Sequence, residues 1–194
     1  MTSAIILAGG LSSRMDDINK LLLPYNNDTI IGHLVNTICS AGFEEVIVVT
    51  GHESEKIKKA VSGLPVNVIY NSNYKDGITT SIQKGISHSN EKAFMICLAD
   101  MIKITAGEYY LIKRNFENQF LNNPETICVP RYNNQKGNPV VFSSSYKEAI
   151  LLHKNMNGCS DVVQANSKNI NWVNMPTDSI LQDVDIYSDY LNLT

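Results

Sequence analysis

Four short stretches hold residues whose types and spacing suit chemistry on an anionic, phosphate-bearing ligand. The first is Leu7-Ala8-Gly9-Gly10-Leu11-Ser12-Ser13-Arg14-Met15. Adjacent glycines let a backbone approach a ligand closely, and successive N–H groups in such a loop form a concavity for phosphate oxygens. Arg14 adds a planar cationic fork, and Lys20 a compact cation able to reach the same anion; an ordinary turn with solvated basic residues is the alternative. In the second stretch, residues 71–85, Gly77 precedes Thr79, Thr80 and Ser81, so a helix start there would present free N–H groups and hydroxyls to a polar ligand. Capping alone would also explain that composition. The third, residues 94–101, is an apolar run that ends on Asp100. A carboxylate at the end of a buried strand is costly unless compensated, and either a divalent cation or a turn or cap role would compensate it. The fourth, residues 181–190, gathers Asp183, Asp185 and Asp189 near the C-terminus, by default a solvated acidic end.

Several chemistries lack their residues. No GxxxxGK[ST] or GxGxxG occurs, which removes the motifs of P-loop kinases and dinucleotide dehydrogenases. There is no GxSxG elbow for a serine hydrolase. His33, His52, His88 and His153 form no metal-binding pair, and Cys39, Cys97, Cys128 and Cys159 form no CxxC. Cys97 and Cys128 lie in apolar runs and read as small core residues.

These residues need a scaffold, and hydrophobic periodicity supplies one. Residues 4–7, 45–50, 66–70, 93–99, 126–129 and 140–142 read as strands. Residues 29–41, 54–61, 79–88, 109–120 and 146–153 read as helices, with Ser54 as a cap of the second. Alternation of this kind predicts an α/β protein, a single-domain Rossmann-like three-layer sandwich over residues 1–194 with a mostly parallel sheet. Ligands in such sheets bind beyond the carboxyl ends of the strands, where Gly9, Gly10 and Asp100 would stand. With 194 residues, 43% hydrophobic and 18% charged, and a net charge of −3, extended disorder and general affinity for nucleic acid are excluded. The run at residues 4–8 is far too short to span a membrane, and no basic region precedes it, so a cytoplasmic location is expected.

The stretch at residues 7–15, followed by Lys20-Leu21-Leu22-Leu23-Pro24, resembles the signature LAGGxSxRM…K of the MobA-like NTP transferases. Residues 71–85 are similar to NxxWxxGMxxSLxxG, with Tyr74, Ile78 and Ile82 at the substituted positions; this is the mark of the molybdenum cofactor (molybdopterin) cytidylyltransferase branch. Asp100-Met101 resembles LxDMP, residues 136–142 resemble RGHPVLF, and Asp183-Val184-Asp185 resembles the start of DIDTPEDY. The resemblance implies a fold of the nucleotide-diphospho-sugar transferase type. It implies transfer of a nucleoside monophosphate from CTP or GTP to a phosphorylated acceptor, molybdopterin first, with release of pyrophosphate. It places Leu7, Ala8, Gly9, Gly10, Ser12, Arg14, Lys20, Asn71, Gly77 and Ser81 on the nucleotide, with Arg14, Lys20 and Asp100 catalytic, and Asp100 and Asp185 on Mg2+. A molybdoenzyme or its chaperone would be the protein partner.

Gly9 agrees with guanylyl enzymes, the two longer segments with cytidylyl ones, so CTP is expected first and GTP second. Asp16 stands where the family usually has Gly, and Asn155-Met156-Asn157-Gly158-Cys159-Ser160 replaces the branch's GDxGAR near the acceptor. A sugar phosphate or phosphorylated alcohol as acceptor, or a carrier that binds without catalysis, are the alternatives.

Overall fold

A computed structural model describes residues 1–12, 15 and 18–193; Arg14 and Asp16, both singled out in the sequence, lie outside the described residues. The chain runs through β1 (Thr2–Ala8), a short hairpin of β2 (Pro24–Tyr25) and β3 (Asp28–Thr29), α1 (Ile30–Ser40), β4 (Glu45–Thr50), α2 (Ser54–Ala60), β5 (Asn67–Tyr70), α3 (Ile78–His88), β6 (Ala93–Leu98) and α4 (Ala106–Phe120). It continues through β7 (Ile127–Tyr132), β8 (Gln135–Lys136), β9 (Val140–Ser143), α5 (Lys147–Leu151), α6 (Ser160–Ala165), β10 (Ile170–Asn174) and α7 (Tyr187–Leu191).

The main sheet has the order β10-β7-β9-β6-β1-β4-β5, with β8 paired to β7. Pairs β1–β4, β1–β6, β4–β5 and β7–β10 are parallel, whereas β9 runs antiparallel to both of its neighbours. The mostly parallel sheet is therefore as expected, and the reversals at β9 and at the two-residue β8, antiparallel to β7, are the departures from it. Burial on both faces makes β1 a continuous apolar run: Ala4, Ile6 and Ala8 face one core with α1, α2 and α4, while Ile5 and Leu7 face a second with α3, α5 and α6. No helix among the described residues is long and apolar enough to cross a membrane.

Three boundaries differ from the sequence reading for local reasons. Ser54 is the first helical residue rather than the cap; Glu53 takes that position at φ 50°, and the Ser54 hydroxyl pairs with that of Thr50 at 2.7 Å. Helix α4 starts three residues before Tyr109 because Thr105 and Glu108 form a reciprocal capping box. The helix expected at 146–153 is a 3-10 turn over Ser144–Tyr146 followed by α5, which stops at Leu151.

Helix α3 sits unusually close to the sheet. A Cβ on Gly85 would lie 2.3 Å from Cγ2 of Ile5 and 3.1 Å from Cγ2 of Val49, both fully buried. Gly85→Ala is expected to lower the urea midpoint, at a cost of about 1–3 kcal/mol for overpacking. Helix propensity alone would favour Ala by about 1 kcal/mol, so the sign of the change isolates the packing.

Candidate active site

The chain leaves β1, builds the sheet outward through β4 and β5, and returns to place β6 on the other side of β1. The loops after β1 and β6 consequently diverge and leave a crevice at the carboxyl ends of these strands. Gly9 and Gly10 occupy one side of it and Asp100 the other. A cleft of about 200 Å³ there is lined by Leu7, Gly9, Gly10, Ser81, Leu98 and Asp100, among others.

The loop after β1 turns back on itself. Ser12 adopts φ 50°, its carbonyl accepts the N–H of Met15 at 2.9 Å, and its hydroxyl accepts the backbone N–H of Lys20 at 3.2 Å. Ser12 thus sets where Lys20 begins. Leu7 lines the crevice with its side chain, whereas the Ala8 methyl is buried in the core, so only its backbone faces the loop.

Lys20 donates to Asp100 Oδ2 at 2.7 Å and to Asp185 Oδ1 at 3.2 Å. Burial opposes the lysine's charge, but the attraction and hydrogen bonds of Asp100 and Asp185 outweigh it, and its pKa rises above the ordinary value. Two ties bring the C-terminal segment here, and an internal brace shapes it. Val184 N–H donates to the Asp100 carbonyl at 3.1 Å. Asp189 accepts the N–H groups of Asp185 and Ile186 at 2.9 and 3.0 Å, bracing the turn that carries Asp185. Tyr190 donates from its hydroxyl to the Pro24 carbonyl at 2.9 Å, which fastens α7 to the chain just after Lys20.

A third carboxylate joins them. One oxygen from each of Asp100, Asp183 and Asp185 lies within 4.8 Å of the other two. Partial burial and the charges of Asp185 and Asp100 raise the pKa of Asp183. Oδ1 of Asp100 is buried and has no hydrogen-bond partner among the described residues. A buried carboxylate oxygen left over beside two further acids is a donor set suited to a hard divalent cation. The sequence marked Asp183 as the first aspartate of the closing motif but assigned only Asp185 to the metal, because the neighbourhood of Asp183 with Asp100 arises only when this segment folds back.

Asn71, Gly77 and Ser81 fall in different places. The Asn71 amide donates to Thr80 Oγ1 at 2.9 Å and Ser81 Oγ at 3.0 Å, and its oxygen accepts the N–H of Asn73 at 3.1 Å, so it braces the start of α3. Ser81 lines the crevice. Gly77 does not: at φ 120° it is pressed against Met156, whose carbonyl oxygen would lie 2.5 Å from an added Cβ. The N–H of Thr79, offered to a ligand by the sequence reading, is likewise taken up within the chain, donating to the Met156 carbonyl at 3.4 Å. Beside this turn lies a second cavity of about 350 Å³, lined chiefly by apolar side chains including Ile78, Ile82, Val140 and Phe142, with Lys136, Asn138, Asn157 and Ser160 as polar groups. Cys159 borders it, its thiol pushed up to about 11 by burial and the charge of Asp161.

The model of the MobA-like NTP transferase domain matches residues 4–170. The chain belongs to this family. Among solved structures, the chain superposes on a nucleotidyl transferase from Methanothermobacter with TM-score 0.83 at 23% identity, covering 100% of this chain and 95% of the other. A Mycobacterium tuberculosis protein solved in complex with manganese gives TM-score 0.80 at 21% identity, covering 99% and 97%. A CMP:2-keto-3-deoxy-manno-octonic acid synthetase complexed with CTP gives 0.77 at 13%, covering 99% and 96%. At these identities the likeness concerns the fold. The bifunctional protein GlmU of Symbiobacterium thermophilum is 36% identical over 58 residues, 29% of this chain and 12% of the relative; that of Francisella tularensis subsp. holarctica is 25% identical over 133 residues, 64% and 29%. The match thus spans under a third of these relatives' own length.

Proposed function

We propose that the protein transfers a nucleoside monophosphate from CTP, with GTP the second choice, to a phosphate carried by a small molecule, and releases pyrophosphate. The observation that carries this reading is the convergence of Lys20, Asp100 and Asp185 beside the glycine loop. In this reading an oxygen of the acceptor's phosphate attacks the α-phosphorus; the bond from that phosphorus to its bridging oxygen breaks, and the electron pair leaves with pyrophosphate. The protein's part is alignment and neutralisation of charge.

The backbone of Gly9 and Gly10 and the Ser12 hydroxyl would hold the β- and γ-phosphates, together with Arg14. Lys20 would swing from the two aspartates to the α-phosphate and stabilise the charge that grows there. Ser81, held by Asn71, would face the sugar or base. Asp100 and Asp185, with Asp183 beside them, would hold Mg2+, which when bound supplies positive charge between triphosphate and acceptor. The manganese-bound relative of the same fold supports a divalent cation here, and the CTP-bound one supports the choice of nucleotide.

The acceptor's body would occupy the apolar cavity next to α3. Its apolar walls suit the faces of a flat ring system, and Lys136 and Asn138 offer polar partners for the edges; molybdopterin, the acceptor implied by the sequence resemblance, has both features. The test mixes the protein with CTP, GTP, ATP or UTP, Mg2+ and molybdopterin, and follows thermal shift and pyrophosphate together. A shift with CTP and pyrophosphate release only in the presence of molybdopterin is expected. A shift without release would favour a carrier instead, and release with another phosphorylated acceptor alone would replace molybdopterin.

A further inference from the structure

Thr79 is fully buried on the first turn of α3, and its position lies outside the motif residues. Its hydroxyl donates to the Asn155 carbonyl at 2.6 Å and accepts the Gly158 N–H at 2.9 Å. Its own N–H reaches the Met156 carbonyl. Gly77, two residues earlier, lies so close to Met156 that no side chain fits between them. One helical turn thus holds residues 155–158 by three hydrogen bonds and one close backbone contact. Asn155 braces the same segment, donating to Asp161 at 2.9 Å and accepting the Asn157 N–H at 3.0 Å.

The opposite side of this turn belongs to the triphosphate crevice. Ser81 lines that crevice beside Gly9 and Gly10 and is fixed by Asn71, which also holds Thr80. Residues 157–160 form one wall of the apolar cavity. The two spaces share Leu7, Ile78 and Leu98 as their partition. A ligand that steadies the turn from the Ser81 side therefore steadies the far wall, through the Thr79 hydroxyl.

We infer that Thr79 is a positioning residue that couples occupancy of the triphosphate crevice to ordering of residues 155–160, so that bound nucleotide prepares the acceptor wall. The inference rests on the functional reading above. A coupling of this kind needs no change of fold, only that one ligand reduce the freedom the second must otherwise lose. It also gives the sequence at 155–160 a role: that wall is held by α3 through Thr79, with Asp161 bracing Asn155 from the following helix.

Amide hydrogen exchange with CTP and Mn2+ as probe tests this without any acceptor. In the wild type, binding is expected to slow exchange of the amides of residues 155–160 about tenfold. Thr79→Val, which keeps the shape and deletes the hydroxyl, should retain the thermal shift with CTP and Mn2+ but lose the slowing, and Thr79→Ser should retain both. Should the valine variant not fold, Thr79→Ala deletes the same hydroxyl. A wild type that shows the thermal shift without slowing, or a variant lacking the hydroxyl that slows as the wild type does, overturns the coupling. Absence of a thermal shift with all four triphosphates overturns the functional reading, and the coupling with it.

Discussion

Asp100→Asn is expected to lower pyrophosphate-releasing turnover about a thousandfold, close to 4 kcal/mol of transition-state stabilisation, while the thermal midpoint stays level or rises. Asn keeps the volume and the partner oxygen for Lys20, so the crevice retains its shape. What it loses is the charge at the end of β6 that faces Lys20, Asp183 and Asp185. The stability expectation follows from three carboxylates, Asp100, Asp183 and Asp185, gathered around one lysine. Removing one of these negative charges relieves their mutual repulsion in the ligand-free protein, while Lys20 keeps Asp185 as a partner. A group kept at a loss in stability and needed for turnover is the pattern of a functional site. Full turnover in the variant, measured by coupled pyrophosphate release, would remove Asp100 from the proposed reaction.

Lys20→Ala is expected to produce a divided result: turnover falls by about a thousandfold, yet Mn2+ binds about tenfold more tightly when no nucleotide is present. The ammonium lies 2.7 and 3.2 Å from the carboxylate oxygens that would hold the cation, with 14% of the side chain exposed. Two positive charges compete for one group of acids, and at such distances their repulsion amounts to kilocalories per mole even in a polarisable site. Tenfold in affinity corresponds to about 1.4 kcal/mol. When a triphosphate is present, the lysine has a second anion to serve, and the competition should fade. The advantage of the alanine variant is therefore expected only without nucleotide, as read by the electron paramagnetic resonance signal of free Mn2+. Weaker or unchanged Mn2+ binding would mean that Lys20 and the cation do not share these acids.

The two substitutions separate two roles that lie within one hydrogen bond of each other. Asp100→Asn weakens both the lysine contact and the cation site, whereas Lys20→Ala removes only the lysine. If the lysine merely held the aspartates in place, its loss would loosen the acids and weaken Mn2+ binding. Opposite signs in the two metal titrations are thus the signature expected of a lysine that occupies the acids until substrate arrives.

Much of this arrangement was legible along the chain, because it depends on neighbours in sequence. The apolar run of β1 followed by a glycine pair, and that of β6 followed by Asp100, mark buried parallel strands whose carboxyl ends carry polar residues, and the motif order from residue 7 to residue 190 marks the family. Local chemistry also explains why the strand and helix types were readable: the unbroken apolar run of β1, buried on both faces, and the helical spacing of apolar residues in α1 are properties of a few adjacent residues.

Other features depend on residues far apart in the chain. Lys20 meets Asp100 across 80 positions and Asp185 across 165, and Asp183 joins them only because Val184 and Tyr190 fasten the C-terminal segment to Asp100 and Pro24. Asn71 and Gly77, both assigned by motif to the nucleotide, turn out to brace α3 and to receive Met156; a pattern of residue types cannot tell whether a hydrogen-bonding group will be spent on the chain or left for a ligand. Thr79 carries no motif at all, and its link to residues 155–158 exists only once α3 has packed against that segment. The sequence alone determined which strand ends carry the glycine pair and the aspartate. Tertiary packing decided which polar groups remain free to act there, because backbone and side-chain donors are claimed first by whatever part of the chain folds against them.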